Sequence, residues 1–475
     1  MAHDRADGVI LGRLRLVVLV LLAGCLSVPP PRAGSPDGGG GPPADGPAID
    51  GPLRDGPRTT PDAPPRGPGS AWPPAGKALK LRIGGVADLD GDGRDDFVLL
   101  NPSGDPASQG LYVFLGRPTG VGRVYDAFVP TGEAQPLAAS LVELGGDARP
   151  DLLVMAATRS APGNPYDSMK LLAYEGAGRD GFIEHGGRAL PGFQPNVDPW
   201  FGRAFAKVGR FRADGAPEIV VGVEGAEPAS VAVVSLDAWT PFAIGPPRAL
   251  TPPAQLASGW RAADAIALRA PSGRDDLFVV DAQNVVWFQS TPDGLLPTSH
   301  YVSYSRLDDG YKWIQYAAFA GDSVASIWGG AGDSVGATRI NFAAADAPST
   351  FETLVLTEMG STDLQLGSQR LLGDLVVADL DGDADHRPDV ATVNRDTPAA
   401  IRIYPNPVPD RSMGGASIPM VADAPVALTL PASTTELRWL VTGRFSAPRQ
   451  LLLVESSGKI GCYRLDVRAL VGCDP

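Results

Sequence analysis

From residue 79 onward, the hydrophobic positions fall in short runs and show no helical periodicity of convincing length. An apolar run is followed by a turn rich in Gly and Asp, a second apolar run, a short break and a third run. The clearest copy is 86–96 followed by 97–101 and 111–116. Short β-branched and aromatic runs separated by turn residues predict β-hairpins.

This unit recurs seven times along the chain. Its turn-containing segments are 86–96, 142–151, 208–218, 266–276, 319–325, 377–389 and 441–450, the fifth having a shortened turn. Their last positions lie 49 to 67 residues apart, a period near 60. Three visible strands per period, with room for a fourth, predict a four-stranded blade repeated around an axis. We therefore expect an all-β protein in which residues 79–475 form one seven-bladed β-propeller.

The N-terminal residues 1–24 have the features of an export signal. Arg13 and Arg15 precede an apolar run at 16–23, which is too short for a bilayer that requires about 20 residues. The run ends in Leu-Ala-Gly-Cys, which resembles the bacterial lipobox. The resemblance implies acylation of Cys25 and anchoring to a membrane, with the outer membrane or cell surface favoured. The alternative is an ordinary cleaved signal followed by a chance cysteine.

Residues 25–78 are expected to be a disordered tether. The stretch 29–78 contains 15 Pro and 11 Gly and almost no bulky apolar side chains. Such a segment cannot bury enough apolar surface to offset the entropy of ordering it.

Composition narrows the possible functions. The net charge of −14 argues against nucleic acid, because phosphates are bound by clustered Lys and Arg. Only four His occur, which weakens any mechanism that needs an imidazole base or a zinc ion. No nucleophile–base constellation is visible, and we therefore expect a binding protein and no enzyme.

One repeat points to a family. Residues 201–209, Phe-Gly-Arg-Ala-Phe-Ala-Lys-Val-Gly, and residues 216–222, Ala-Pro-Glu-Ile-Val-Val-Gly, resemble an FG-GAP repeat. Such repeats build the propeller of integrin α subunits and of many bacterial VCBS-type surface proteins. The resemblance extends over roughly 79–475 and implies seven blades, calcium in some blade turns and a binding role.

The first repeat carries a calcium-binding pattern. Asp88, Asp90, Asp92 and Asp96 stand at turn positions 1, 3, 5 and 9, and the backbone carbonyl of Arg94 supplies position 7. Calcium takes six to eight hard oxygens, which a tight loop supplies from alternate residues. We therefore predict a structural Ca²⁺ site here, against the alternative of a solvated acidic turn.

The sixth repeat carries a second set of acids. Asp379, Asp381, Asp383 and Asp389 follow the same order, although Ala384 replaces a glycine and two residues are inserted before Asp389. The spacing predicts a second Ca²⁺ site, with Asp385 as an extra ligand.

The other repeats have lost ligands. The second keeps Glu143, Asp147 and Asp151, at best a weak site, whereas Arg210 and Arg444 replace the first acid of the third and seventh repeats. Because a guanidinium forms strong bonds with carboxylates, we hypothesise that Arg210 fills the place of the cation.

Four tryptophans precede the first strands of blades by similar distances: Trp200, Trp260, Trp313 and Trp439. They are candidates for ligand binding at the mouth of the channel, and the alternative is that they fill the cores between blades. The ligand class stays open. An adhesion module for a protein and a lectin-like carbohydrate binder are both compatible, and a propeller enzyme acting on polysaccharide is the third alternative.

The two remaining cysteines, Cys462 and Cys473, are predicted to form a disulfide. Cys462 lies in the third run of the last repeat, and Cys473 follows a short run at 469–471. An eleven-residue separation suits facing positions across a hairpin, and export would place both thiols in an oxidising compartment.

Overall fold

In the computed structural model, strands follow one another from Arg82 to Gly472. The described residues are 81–102, 108–122, 124–159, 166–193, 204–223, 231–256, 260, 262–270, 272–281, 284–303, 313–318, 325–331, 334–341, 350–357, 372–381, 388–394, 400–405, 407–409, 418–421, 426–431, 438–446, 449–466 and 469–473. All belong to one compact unit, Asp62–Pro475. Two 3₁₀ turns, Gly178–Asp180 and Ala254–Leu256, are the only helical elements among them. No helix of this described part is long and apolar enough to cross a bilayer.

The strands form seven blades in which consecutive strands pair antiparallel, and the first three are as follows. Blade 1 contains β1 Arg82–Ala87, β2 Asp96–Asn101, β3 Gly110–Phe114 and β6 Ala127–Pro130, with a small hairpin of β4 Gly116–Arg117 and β5 Gly120–Val121. Blade 2 contains β7 Gln135–Val142, β8 Asp151–Thr158, β9 Ser168–Gly176 and β10 Phe182–Ala189. Blade 3 contains β11 Ala204–Gly209, β12 Glu218–Val223, β13 Val231–Ala238, β14 Ala243–Ile244 and β15 Arg248–Ala249.

The remaining four blades follow the same plan. Blade 4 contains β16 Asp264–Arg269, β17 Asp275–Val280, β18 Asn284–Thr291 and β19 Gly294–Ser303. Blade 5 contains β20 Trp313–Ala318, β21 Ala325–Ala331, β22 Ser334–Asn341, β23 Thr350–Thr357, β27 Val408–Pro409 and β28 Ile418–Val421. Blade 6 contains β24 Leu372–Ala378, β25 Asp389–Asn394, β26 Ala400–Tyr404 and β29 Val426–Thr429. Blade 7 contains β30 Arg438–Gly443, β31 Gln450–Glu455, β32 Ile460–Asp466 and β33 Ala469–Gly472.

The first strands of the blades close into a ring. In order around the ring, β1, β7, β11, β16, β20, β24 and β30 each contact the next, and β30 contacts β1. Seven blades arranged in this way form a seven-bladed β-propeller, which confirms the predicted fold class. The second strands begin at the expected residues in six blades and one residue early in blade 4, at Asp275.

Blade 5 departs from the four-stranded expectation. Its fourth strand, β23, pairs in parallel with β28, and β28 pairs in turn with β27. Both added strands come from the connection between β26 and β29 of blade 6. The repeat pattern did not indicate this extension, because it joins segments that are distant in the sequence.

The described cores lie between neighbouring blades. One cluster joins Val98 and Leu100 of blade 1 to Leu152 and Val154 of blade 2. Similar clusters join blades 2 and 3, 3 and 4, 6 and 7, and 7 and 1. Because each second strand is covered on both faces, β2, β12, β17 and β31 are buried along their whole length. Such strands have continuous apolar sequences in place of the alternation of a half-exposed strand.

The last blade contains the predicted disulfide. Cys462 on β32 is bonded to Cys473, which follows β33, and their Cα atoms are 5.2 Å apart. The Cys473 N–H also donates to the Cys462 carbonyl at 3.0 Å, as expected for facing residues of a hairpin. The bond ties the final strand to its neighbour and opposes fraying of the C-terminus.

Candidate metal centres

The candidate sites lie in the turns between the first and second strands of the blades. We call these turns loop 1 (88–96), loop 2 (143–151), loop 3 (210–218), loop 4 (270–276), loop 6 (379–389) and loop 7 (444–450), by blade number. Residues 319–324, where the turn of blade 5 falls, lie outside the described residues.

Loop 1 is wound tightly around the carboxylate of Asp88. One oxygen accepts N–H bonds from Gly91 at 2.7 Å and Asp92 at 3.2 Å, and the other accepts from Gly93 at 2.8 Å. Gly91 and Gly93 have φ values of 77° and 82°, where glycine carries no steric penalty. The glycines in the sequence therefore allow the backbone to fold around the first acid.

Three of the four predicted acids of loop 1 converge. Asp88, Asp90 and Asp96 place one carboxylate oxygen each within 4.8 Å of one another. Asp92 is held differently, because its carboxylate accepts the Arg94 N–H at 2.9 Å and pairs with the Arg94 guanidinium. The Arg94 Nε also donates to the Gly116 carbonyl at 3.3 Å. The structure thus groups three carboxylates and pairs the fourth with a cation of the same loop.

Asp96 is a buried group with a fixed structural task. Its two oxygens accept N–H bonds from Leu89 at 2.7 Å and from Gly116, just beyond the third strand, at 2.7 Å. The pKa of Asp96 is raised to about 6: burial is the main cause, the charges of Asp90 and Asp88 add to it, and the two N–H bonds act in the opposite direction. The ionised carboxyl is therefore disfavoured, mainly because it is buried and to a smaller extent because of the two neighbouring charges.

Loop 6 gathers a second group of three. Asp379, Asp381 and Asp389 have carboxylate oxygens within 4.8 Å of one another. Asp389 is fully buried and accepts an N–H bond from Leu380 at 2.8 Å, as Asp96 does from Leu89, and a second from Asp381 at 3.2 Å. The predicted ligand Asp383 and the extra candidate Asp385 lie outside the described residues. In both loops the donors are hard carboxylate oxygens, the ligands that calcium and magnesium prefer.

Loop 2 keeps the terminal carboxylate without the cluster. Asp151 accepts N–H bonds from Leu144 and Gly145, both at 2.7 Å, and from Gly176 at 3.1 Å. Burial raises the pKa of Asp151 as well. Gly145 stands where Asp90 stands in loop 1, and a Cβ on it would lie 3.4 Å from Trp239 Nε1 of blade 3. An indole from the next blade therefore covers the point at which loop 1 presents a ligand.

The cation-replacing role proposed for Arg210 is wrong. Its side chain is exposed, and no carboxylate among the described residues pairs with its guanidinium. What binds a carboxylate is its backbone N–H, which donates to Asp275 Oδ2 of blade 4 at 2.8 Å. The physical reason is direction, since the backbone of this residue faces the next blade while the long side chain reaches water.

Two of the four candidate tryptophans are packing residues. Trp260 packs against the core between blades 3 and 4, and Trp439 packs against the core between blades 7 and 1. Trp313 begins β20 and Trp439 is the second residue of β30, so neither precedes its strand. Trp200 lies outside the described residues. The packing alternative accounts for the two described side chains.

Sequence reasoning missed one residue at loop 1. Arg179, in the turn between β9 and β10 of blade 2, places its Nε 2.9 Å from Asp90 Oδ2. The Arg179 side chain is 74% exposed, whereas that of Asp90 is only 3% exposed. No local pattern reveals a partner 89 residues away.

Sequence reasoning also missed the second task of the terminal acid. Asp96 and Asp151 each bond the glycine beyond the third strand of their own blade, Gly116 and Gly176. A Cβ on either glycine would come within 2.4 Å of a carbonyl of the loop, of Asp95 or Pro150. The glycine that recurs near the end of the third strand, Gly116 in blade 1 and Gly176 in blade 2, was the sequence signal that could have predicted this contact.

Comparison with known proteins identifies the repeat. Residues 88–154, from loop 1 into the second strand of blade 2, match the FG-GAP-like repeat family model. The chain is therefore a seven-bladed β-propeller that contains an FG-GAP-like repeat, as the resemblance indicated. No curated protein sequence matches it significantly.

The chain has partial similarity to several solved structures. A protein from Lactobacillus plantarum shares 10% identity over 83% of this chain and 95% of its own, with a TM-score of 0.45. Raptor from Chaetomium thermophilum shares 10% identity over 83% of this chain and 29% of its own, with a TM-score of 0.43. A candidate exo-beta-1,3-galactanase from Bifidobacterium bifidum s17 shares 13% identity over 62% and 88%, with a TM-score of 0.28. The propeller assignment rests on the seven sheets of this chain and their ring of contacts.

Proposed function

We propose that this protein is an exported, lipid-anchored binding propeller of the cell surface, in which calcium holds loops 1 and 6. The observation that carries the proposal is the pair of carboxylate clusters, Asp88–Asp90–Asp96 and Asp379–Asp381–Asp389, which occupy corresponding turns of two blades. Two clusters of the same composition at equivalent places of a repeat favour a shared ligand over chance.

The electrostatics of loop 1 support a cation. Three carboxylates meet at one point, and the guanidinium of Arg179 approaches this group through Asp90. Burial raises the pKa of Asp96, and the charges of Asp90 and Asp88 add a smaller contribution; a divalent ion would offset both by favouring the ionised carboxylate. Calcium suits such a loop better than magnesium, because it accepts more ligands and less regular geometry.

The calcium proposal is tested by thermal unfolding in EDTA and in millimolar calcium. Calcium binds the folded loops and hardly the unfolded chain, so Tm rises, with a gain of about 1.4 kcal/mol at ten times the dissociation constant of one site. The double change Asp88→Ala and Asp379→Ala abolishes most of this rise. Asp147→Ala, at an exposed acid of loop 2, is the control and leaves it intact. A wild-type protein that does not respond to calcium contradicts both sites.

The disposition of the buried acids supports binding over catalysis. Burial raises the pKa of Asp96, Asp151, Glu218 and Asp276, which are therefore the first candidates for acid–base chemistry. They lie in four different blades, and three of them accept backbone N–H bonds from their own blade. Groups dispersed in this way hold turns together and do not meet around one substrate.

The anchor is tested at Cys25, which lies outside the described residues together with the rest of 1–80. The lipobox resemblance and the Pro/Gly-rich tether support acylation there. Cys25→Ser is expected to release a soluble form or to leave an unprocessed precursor in cell fractions. An acylated, membrane-bound Cys25→Ser protein contradicts the anchor.

The ligand is a protein or a glycan at the cell surface. A pull-down of surface proteins in calcium-containing buffer, run beside a glycan array, separates the two classes. Saturable binding on one arm, lost on thermal unfolding of the propeller, is the expected result. Absence of binding on both arms contradicts the binding role.

A further inference from the structure

Two of the joints between blades share one contact and one pair of sequence motifs. At the joint of blades 7 and 1, the Arg444 N–H donates to Asp95 Oδ2 at 2.6 Å, and the Asp95 N–H donates to the Arg444 carbonyl at 3.1 Å. At the joint of blades 3 and 4, Arg210 and Asp275 make the same two bonds at 2.8 and 2.9 Å. We call this reciprocal pair of bonds the latch.

The motifs explain the latch residue by residue. Both arginines stand in Gly-Arg-Phe, at 209–211 and 443–445, and both aspartates stand in Gly-Arg-Asp-Asp, at 93–96 and 273–276. Phe211 and Phe445 are fully buried in the cores of the two joints. A Cβ on the preceding glycine would come within 2.3 Å of the Phe211 ring or 2.8 Å of the Phe445 ring. The phenylalanine thus fixes the backbone whose amide and carbonyl form the latch.

The two joints differ in chain connectivity. Blades 3 and 4 follow one another in the sequence, whereas blades 7 and 1 contain the last and the first strands of the ring. Each of these two blades is built from its own strands, and no strand of the described chain completes the other blade. The seam between β30 and β1 is therefore closed by non-covalent contacts, among them the latch between Asp95 and Arg444, which are 349 positions apart.

The seam latch lies inside a loop that also carries the carboxylate cluster. Asp95 directly precedes Asp96, which bonds Leu89 within loop 1 and Gly116 beyond β3. A Cβ on Gly116 would lie 3.0 Å from the Phe445 carbonyl of blade 7, so this backbone also borders the seam. Loop 4 has the latch but lacks the cluster, because only loops 1 and 6 gather three acids among the described residues.

We propose that the latch transmits calcium binding in loop 1 to the seam, so that the ion closes the ring between the two ends of the propeller. This inference rests on the proposed calcium site. When a cation orders loop 1, it also fixes the carboxylate and the amide of Asp95. These two groups bond the backbone of Arg444, which directly follows β30.

The test is hydrogen exchange of the wild-type protein, Asp95→Ala and Asp275→Ala, each in EDTA and in calcium. In the wild type at ten times the dissociation constant, calcium slows exchange roughly tenfold in loop 1 and in β30, by mass action on openings that release the ion. In Asp95→Ala the cluster is intact, so loop 1 keeps this protection. The slowing in β30 falls to roughly threefold or less, because a hydrogen bond to a charged group is lost. Asp275→Ala is the matched control and keeps the full effect in β30.

Each outcome separates the two proposals. No calcium effect anywhere in the wild type removes the calcium site itself. Protection of loop 1 without β30 in the wild type, or equal protection of β30 in Asp95→Ala, overturns the latch proposal and leaves the calcium site standing. If Asp95→Ala does not fold, Asp95→Ser, whose shorter side chain does not reach the Arg444 amide, takes its place. Asp95→Asn, which keeps an acceptor oxygen, is expected to restore the coupling.

Discussion

Loop 1 and loop 2 occupy the same position in adjacent blades, and they share a terminal aspartate but differ in the residues gathered around it. Both end in a buried aspartate that accepts N–H bonds from the start of the loop and from the glycine beyond the third strand. Only loop 1 adds Asp88 and Asp90 to form a cluster. The difference shows that the terminal acid stabilises the blade whether or not the rest of the loop is suited to a cation.

The third position of each loop marks the divergence. In loop 1 it is Asp90, whose carboxylate is paired with Arg179 of the next blade. In loop 2 it is Gly145, which lies against Trp239 of the next blade. The guanidinium of Arg179 compensates the charge of the Asp90 carboxylate, whereas the indole of Trp239 packs against a loop position that carries no charged side chain. Each loop is therefore matched to its neighbouring blade as well as to its own sequence.

The largest effect is expected on removal of the shared group. Asp96→Ala and Asp151→Ala each leave two or three backbone N–H groups without their acceptor, at about 1–3 kcal/mol per buried group. We expect each variant to lose about 4 kcal/mol of unfolding free energy in EDTA, measured by urea denaturation. Asp147→Ala, at an exposed loop 2 acid, is the control and should change the value by less than about 0.5 kcal/mol. A near-neutral Asp151→Ala would show that loop 2 does not need its terminal acid.

An intermediate effect is expected from pH. Burial raises the folded-state pKa of Asp96 to about 6, so between pH 4 and about 6 its carboxyl holds, in the folded protein, a proton that the unfolded chain has released. Asp96 therefore makes stability in EDTA fall as the pH rises through this window, and Asp151, whose pKa is also raised by burial, acts in the same direction. For Asp96 the change from 3.8 to about 6 limits the fall to roughly 3 kcal/mol.

Calcium separates the two loops in this measurement. A bound cation favours the ionised form of Asp96, so Asp96 no longer contributes to the fall in unfolding free energy with rising pH. The contribution of Asp151 persists in calcium. Urea unfolding at pH 4, 5, 6 and 7, with EDTA or calcium, should therefore give a shallower decline in calcium. Parallel curves under the two conditions would mean that Asp96 does not face the ion.

The smallest effect is expected at Arg179. Because this side chain is mostly exposed, Arg179→Ala should cost less than about 1 kcal/mol in EDTA. The calcium-induced rise in Tm should become larger, since Asp90 no longer shares its charge with a guanidinium. Arg117→Ala is the control. It removes the ion pair with Asp126 in blade 1, the blade that carries loop 1, and should leave the calcium response unchanged. A smaller calcium response in Arg179→Ala would mean that the arginine helps to hold the site.

The sequence by itself determined the features that recur from blade to blade and those that lie within a single hairpin. The period near 60 located the start of each second strand to within one residue, the alternating acids located the clusters of loops 1 and 6, and the spacing of Cys462 and Cys473 indicated their bond. These features depend on residues close together in the chain, whose geometry is limited by strand and turn conformations.

Only the tertiary structure determined which residues of neighbouring blades contact one another. It placed Arg179 on Asp90, joined Asp95 to Arg444, and packed Trp260 and Trp439 into joints. It also turned the Arg210 side chain to solvent and used its backbone N–H in place of its charge. Such contacts depend on which loops become neighbours when the ring closes and on the direction of each side chain there. A one-dimensional pattern contains neither, because residues more than 300 positions apart meet at the seam, as Asp95 and Arg444 do.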